Sequence, residues 1–151
     1  MLQKPTNLRY MLGLLLLSLV LPVNALEFRS IAPAKAILYD APSLEASKLY
    51  ILSQSYPVEL IVNLNNWVKV RDAAGALSWV ESKSLSSKRT VLVLAKTDIK
   101  SAEDPASSLV ATVEKDVVLE LLADRQNGWV KVRHRDGVTG FVQVTNVWGV
   151  N

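Results

Sequence analysis

Acid–base or metal chemistry in this chain would have to be built from very few groups. Among 151 residues there is one histidine, His134, and no cysteine. His134 stands in the run Arg133-His134-Arg135-Asp136 ahead of Gly137. An imidazole there could serve as a general base or a metal ligand, because it titrates near neutral pH. A second histidine or a cysteine would be needed to complete a nitrogen or sulfur ligand set, and an exposed turn residue is the favoured account of His134. Glu103-Asp104 falls in a proline-containing turn. Asp40, Glu45, Asp72 and Asp136 are scattered over other turns, where acidic residues serve turn geometry. No nucleophile is set beside a base, and no glycine-rich loop is suited to phosphate. No catalytic residue, metal ligand or cofactor is therefore assigned, and the chain is expected not to be an enzyme.

Aromatic side chains are the better-supplied group. Tyr39, Tyr50, Tyr56, Trp67 and Trp79 lie in the first half, and Trp129, Phe141 and Trp148 in the second. Small all-β domains use aromatic grooves to hold extended peptides. The alternative for each ring is that it packs the fold.

The elements that position these rings are read from an internal repeat. Trp67 to Leu85 reads WVKVRDAAGALSWVESKSL, and Trp129 to Val147 reads WVKVRHRDGVTGFVQVTNV. The first five residues are identical. Gly75 matches Gly137, Trp79 matches Phe141, and Val80 matches Val142. Upstream, VELIVNLNN (Val58 to Asn66) aligns with LELLADRQNG (Leu119 to Gly128) across a one-residue gap. AILYDAPSLEASKLYIL (Ala36 to Leu52) corresponds more loosely to TDIKSAEDPASSLVATV (Thr97 to Val113). His134 falls opposite Asp72. The three tyrosines of the first copy fall opposite Lys100, Ala111 and Val117.

Each copy reads as β. In VKVR, Val68 and Val70 face one way and Trp67, Lys69 and Arg71 the other. Short runs rich in Val, Ile, Leu and Trp are separated by the turn signals Asn65-Asn66, Ala74-Gly75, Asn127-Gly128 and Asp136-Gly137. This spacing predicts two small barrels or sandwiches, over 32–87 and 90–149. The linker Ser86 to Thr90 is short, so the two units are expected to pack together. The basic residues Lys69, Arg71, Lys131, Arg133 and Arg135 recur on the solvent side of equivalent strands. They could meet anionic polymers, or simply keep the strands soluble.

The N-terminus has a separate logic. Lys4 and Arg9 precede the apolar run Met11 to Pro22, and Val23-Asn24-Ala25 follows. That layout predicts a secretory signal peptide over 1–25. A membrane anchor is the rival, but the uncharged stretch 10–26 is interrupted by Pro22 and Asn24. No membrane span is expected after cleavage, and the protein is expected to be exported, periplasmic or extracellular. Without Lys4 and Arg9 the 17 basic residues become 15, against 14 acidic ones. So balanced a chain lacks the basic footprint of a nucleic-acid binder.

The motif Trp-Val-Lys-Val-Arg, a glycine turn, then Gly-aromatic-Val resembles the bacterial SH3-like domain. The second copy carries it whole in Trp129, Val130, Val132, Gly137, Gly140, Phe141 and Val142. In the first, Ser78 replaces the glycine before Trp79, which puts that hairpin's local geometry in question. YPVELIVNLNNWVKVRD, Lys88-Arg89-Thr90 and the closing Trp148-Gly149-Val150 are similar to a tandem family of short exported proteins. The resemblance implies an all-β fold of two tandem SH3-like barrels after a signal peptide. It further implies binding of a peptidoglycan stem or another envelope peptide, with the loop after Tyr39 bordering the ligand groove. On that basis Tyr39, Asp40, Trp67 and Trp79 are the expected ligand contacts, with the first barrel making most of the contact. The alternative is a structural adaptor that binds an envelope protein and has no affinity for the wall.

Overall fold

The computed structural model describes residues 25–151; the leader expected over 1–25 lies outside them except for Ala25. Two seven-stranded antiparallel sheets follow one another along the chain. The first holds β1 (Phe28–Ile31), β2 (Lys35–Tyr39), β3 (Lys48–Ser53), β4 (Pro57–Asn63), β5 (Trp67–Arg71), β6 (Leu77–Glu81) and β7 (Leu85–Ser86). The second holds β8 (Thr90–Val93), β9 (Thr97–Lys100), β10 (Leu109–Val113), β11 (Val118–Gln126), β12 (Trp129–Arg133), β13 (Thr139–Gln143) and β14 (Val147–Trp148). The strand order is β3-β2-β6-β5-β4-β1-β7 in one and β10-β9-β13-β12-β11-β8-β14 in the other, the same topology twice. Among the described residues no helix is long and apolar enough to cross a membrane.

The alternation read from VKVR sets the cores. Val68 and Val70 point inward with Ile31, Ala36, Leu38, Val58 and Val80. Their counterparts Val130 and Val132 join Val91, Val93, Ile99, Leu119 and Val142. Each barrel thus rests on a handful of fully buried aliphatic side chains, each contributing roughly 1.5–3 kcal/mol by leaving water. Asn127 and Gly128, at φ +50° and +81°, make the two-residue positive-φ turn between β11 and β12.

β1 lies upstream of position 32, where the sequence pattern places the start of the first unit. Phe28–Ile31 reads Phe-Arg-Ser-Ile, just past the expected leader and outside the repeated segments, so no repeat or apolar run marks it. It pairs with both β4 and β7 and joins β7 to the sheet. Thr90, at the end of the expected linker, is already in β8. Ser78 leaves the first barrel's hairpin register intact: Val70 faces Ser78 as Val132 faces Gly140. The Ser78 hydroxyl is buried and lies 3.1 Å from the Tyr50 hydroxyl.

That contact belongs to a polar network found only in the first barrel. Tyr50 Oη donates to Asp72 Oδ2 at 3.0 Å, and Asp72 Oδ1 accepts the Ala74 and Ala76 N–H groups. Tyr56 Oη accepts the Ala73 N–H. Burial pushes the Tyr50 and Tyr56 phenols above the ordinary tyrosine value, with neighbouring Asp72 adding to the rise. A raised folded-state pKa favours the protonated form in the native state. Its stabilisation is therefore complete below about pH 10 and is lost as pH climbs through the folded pKa. Tyr50→Phe is expected to cost about 1 kcal/mol at pH 7. It should also flatten the alkaline fall in stability, as read by urea unfolding at pH 7 and pH 10.5.

The barrels meet along a continuous junction. The Thr90 hydroxyl donates across it to the Ser55 carbonyl at 2.7 Å. The rings of Phe28 and Trp148 meet edge to face, with centroids 5.1 Å apart. The Arg89 guanidinium lies over the Phe28 ring and donates to the Gly149 carbonyl at 3.0 Å. Gly149 itself has no room for a side chain. A Cβ there would stand 2.8 Å from the Thr90 carbonyl oxygen and 3.3 Å from Pro57 Cβ. The Trp148-Gly149-Val150 tail therefore fastens the second barrel to the first.

Candidate binding site

Three of the four expected contact residues lie together. Strand alternation after the inward Leu38 puts Tyr39 on the outer face of β2, where the pairing with β3 also shifts register. Tyr39 faces Trp79 across β2 and β6, and its ring meets Trp67 edge to face with centroids 5.3 Å apart. Lys69 lies over the Trp79 ring, 5.9 Å from the centroid. Tyr39 is only 5% exposed, whereas Trp67 and Trp79 are half-buried. The tyrosine fills the face, and the two tryptophans present it to solvent. Asp40 is exposed, but its carboxylate accepts the Ser47 N–H at 3.0 Å and closes the loop that follows. It stabilises that loop instead of joining the aromatic cluster.

In the second barrel the same face is open. Lys100 replaces Tyr39 and faces Phe141 across β9 and β13. A recess of about 410 Å³ lies beside Trp129, which is itself only 7% exposed. Its walls carry Asp98, Lys100, Pro105, Thr112, Gln143 and Asn146. Two internal hydrogen bonds set the wall geometry: Thr112 Oγ1 to Asp98 Oδ1, and Asn146 Nδ2 to Thr97 Oγ1, both 2.8 Å. A carboxylate and an ammonium thus flank an aromatic floor. Sequence comparison of the two copies marks Lys100 as different from Tyr39. That the loss of a ring leaves an open space depends on the surrounding atoms, so sequence reasoning missed it.

The other two tyrosine losses act in the same way. Ala111 and Val117 stand where Tyr50 and Tyr56 fill the first barrel. There a second recess, about 230 Å³, is lined by Ile99, Val113, Val138, His134 and Asp136. His134 lies 3.1 Å from the Asp136 carboxylate and belongs to a turn. Among the described residues, no group of three or more histidines and acids is gathered as a metal ion would require.

Several of the recurrent basic residues are engaged within the fold. Arg71 pairs with the buried Glu59 at 3.4 Å, and Lys131 lies over Phe141 as Lys69 lies over Trp79. These contacts explain why the residues recur in both copies without invoking a polymer.

The comparisons with known proteins agree with the repeat. The family model described as bacterial SH3 domain matches residues 32–87 and again 101–149. Among curated proteins none matches the chain. Solved structures that match include NlpC2 from Trichomonas vaginalis, at 18% identity and a TM-score of 0.39, over 82% of this chain and 48% of that one. An NlpC/P60 family protein from Bacillus cereus ATCC 10987 matches at 13% identity and a TM-score of 0.38, over 81% of this chain and 56% of that one. The chain thus spans about half the length of these structures. Two matched segments, one in each copy of an identical strand topology, place the chain in the bacterial SH3 domain family.

Proposed function

We propose that the chain is an exported, non-catalytic binding module of the cell envelope that recognises a short peptide, the stem of peptidoglycan being the leading candidate. The observation that carries this reading is the open recess beside Trp129, with Asp98 and Lys100 on its walls. A peptide stem offers both amines and carboxylates, and it would find a partner for each against an aromatic floor. Ligand sites of this kind are concave, with a few placed polar groups. On the first barrel the same reading assigns Tyr39, Asp40, Trp67 and Trp79, with the tryptophans as the solvent-facing contacts. The division of labour differs from the sequence-based expectation. On this reading the deeper contact lies on the second barrel, because the first has its own tyrosine in that place.

Retention on purified peptidoglycan tests the proposal. The protein is expected to sediment with the wall material, and to be released when the stem peptides are removed enzymatically. A protein that stays in the supernatant would favour the adaptor reading instead. In that case a reproducible crosslinked partner from cells, unaffected by wall digestion, is the expected finding.

A further inference from the structure

The repeat that fixes the fold also shows where the two barrels diverge in charge. In the first barrel the turn after β5 begins Asp72-Ala73, whereas the same turn after β12 begins His134-Arg135. Asp72 gives way to His134 while Asp136 replaces Ala74, so the acid moves two places along the turn and a guanidinium and an imidazole are added. This turn does not face open solvent alone. Together with Lys88 from the linker and the Gln54-Ser55 turn of the first barrel, it lines a cleft of about 500 Å³ at the junction. Arg133 and Arg135 reach the cleft from one side and Lys88 from another.

One carboxylate lies among them. Glu120 Oε2 stands 3.5 Å from Lys88 Nζ and 3.9 Å from Arg133 Nη1. Both distances exceed those of charge-assisted hydrogen bonds, which run to about 2.9 Å. Glu120 therefore sits between two cations without closing on either. Its counterpart Glu59 is buried against Arg71 alone. Arg135 is almost fully exposed and only 4.0 Å from Asp136, at the rim of the turn. The cleft holds three permanent cations around a single internal acid.

We infer that this inter-barrel cleft is an oxyanion site, taking a phosphate or clustered carboxylates with two or more negative charges. Guanidinium groups suit such ligands because their donors match paired oxygens in one plane. Glu120 is the internal occupant that the ligand displaces from Lys88 and Arg133. The site is separate from the Trp129 recess, and it stands whatever that recess binds.

Titration of pyrophosphate, and separately of citrate, into the protein expressed as the full chain tests the inference. NMR at about 50 mM salt, where surface charge is weakly screened, follows the amides of Lys88 and Arg133 to Arg135. Saturable shifts are expected with at least one anion. Pyrophosphate alone would assign phosphate, and citrate alone would assign clustered carboxylates. Glu120→Gln should tighten binding about threefold by removing the competing charge, a gain that unfolding cannot imitate. Arg133→Ala combined with Arg135→Ala should weaken it at least about tenfold, with the thermal melt confirming that the fold persists. Absence of shifts with both anions would overturn the inference. So would a Glu120→Gln protein that binds no tighter than the parent, or a double variant that binds equally well.

Discussion

Gly140→Ala is expected to destabilise the second barrel by about 3 kcal/mol, at the upper end of what overpacking usually costs. An added Cβ would stand 2.5 Å from Ile99 Cγ2 and 2.5 Å from the Lys100 carbonyl oxygen. The first contact could be relieved by a side-chain shift. The second is with backbone that is held in the β9–β13 pairing, so the strands themselves would have to separate. The first barrel shows what a side chain requires at this place. There Ser78 is tolerated with Leu38, unbranched at Cβ, at the position of Ile99, and its hydroxyl gains the Tyr50 contact. Ile99→Leu placed alongside Gly140→Ala should therefore recover part of the loss, with a coupling energy of about 1 kcal/mol. The shift in the urea unfolding midpoint measures both values.

Gly149→Ala is the second large effect, expected at about 2 kcal/mol. Gly149 has φ +114°, a region that residues with a side chain rarely enter. Its Cβ would also press on the Thr90 carbonyl of the second barrel and on Pro57 of the first. The consequence reaches beyond stability. Trp148 packs on Phe28, and Arg89 bridges Phe28 to the Gly149 carbonyl. Pushing the tail outward removes these contacts together. Amide relaxation in the variant should report two barrels tumbling more independently than in the parent protein, where one common tumbling time is expected.

The strand pattern was legible because it depends on neighbours in sequence. Trp-Val-Lys-Val-Arg alternates, and its valines are the buried ones in both copies. The turns at Asn127-Gly128 and Asp136-Gly137 are local as well. The place of Tyr39, Trp67 and Trp79 on one face also follows from strand alternation, once the pairing of β2, β5 and β6 is known. What stayed hidden depends on how distant segments pack. The hydrogen bond by which Asp40 also closes its own loop on Ser47 is one such feature. Phe28 lies beside the leader and gave no repeat signal, although it carries the junction with Trp148 and Arg89. The recess beside Trp129 was the least legible, because it consists of a ring that the second copy lacks.

The central claim is that the ligand enters where Lys100 stands in place of Tyr39. Titration of a synthetic peptidoglycan stem peptide into the parent protein, Lys100→Tyr and Tyr39→Ala tests it most directly. Lys100→Tyr should refill the recess as Tyr39 fills the first barrel, and weaken binding at least about tenfold while leaving the melting temperature within a few degrees. Tyr39→Ala should lose stability yet keep most of the affinity. If Lys100→Tyr binds the peptide as tightly as the parent while Tyr39→Ala loses it, the site lies on the first barrel and the account given for the second is contradicted.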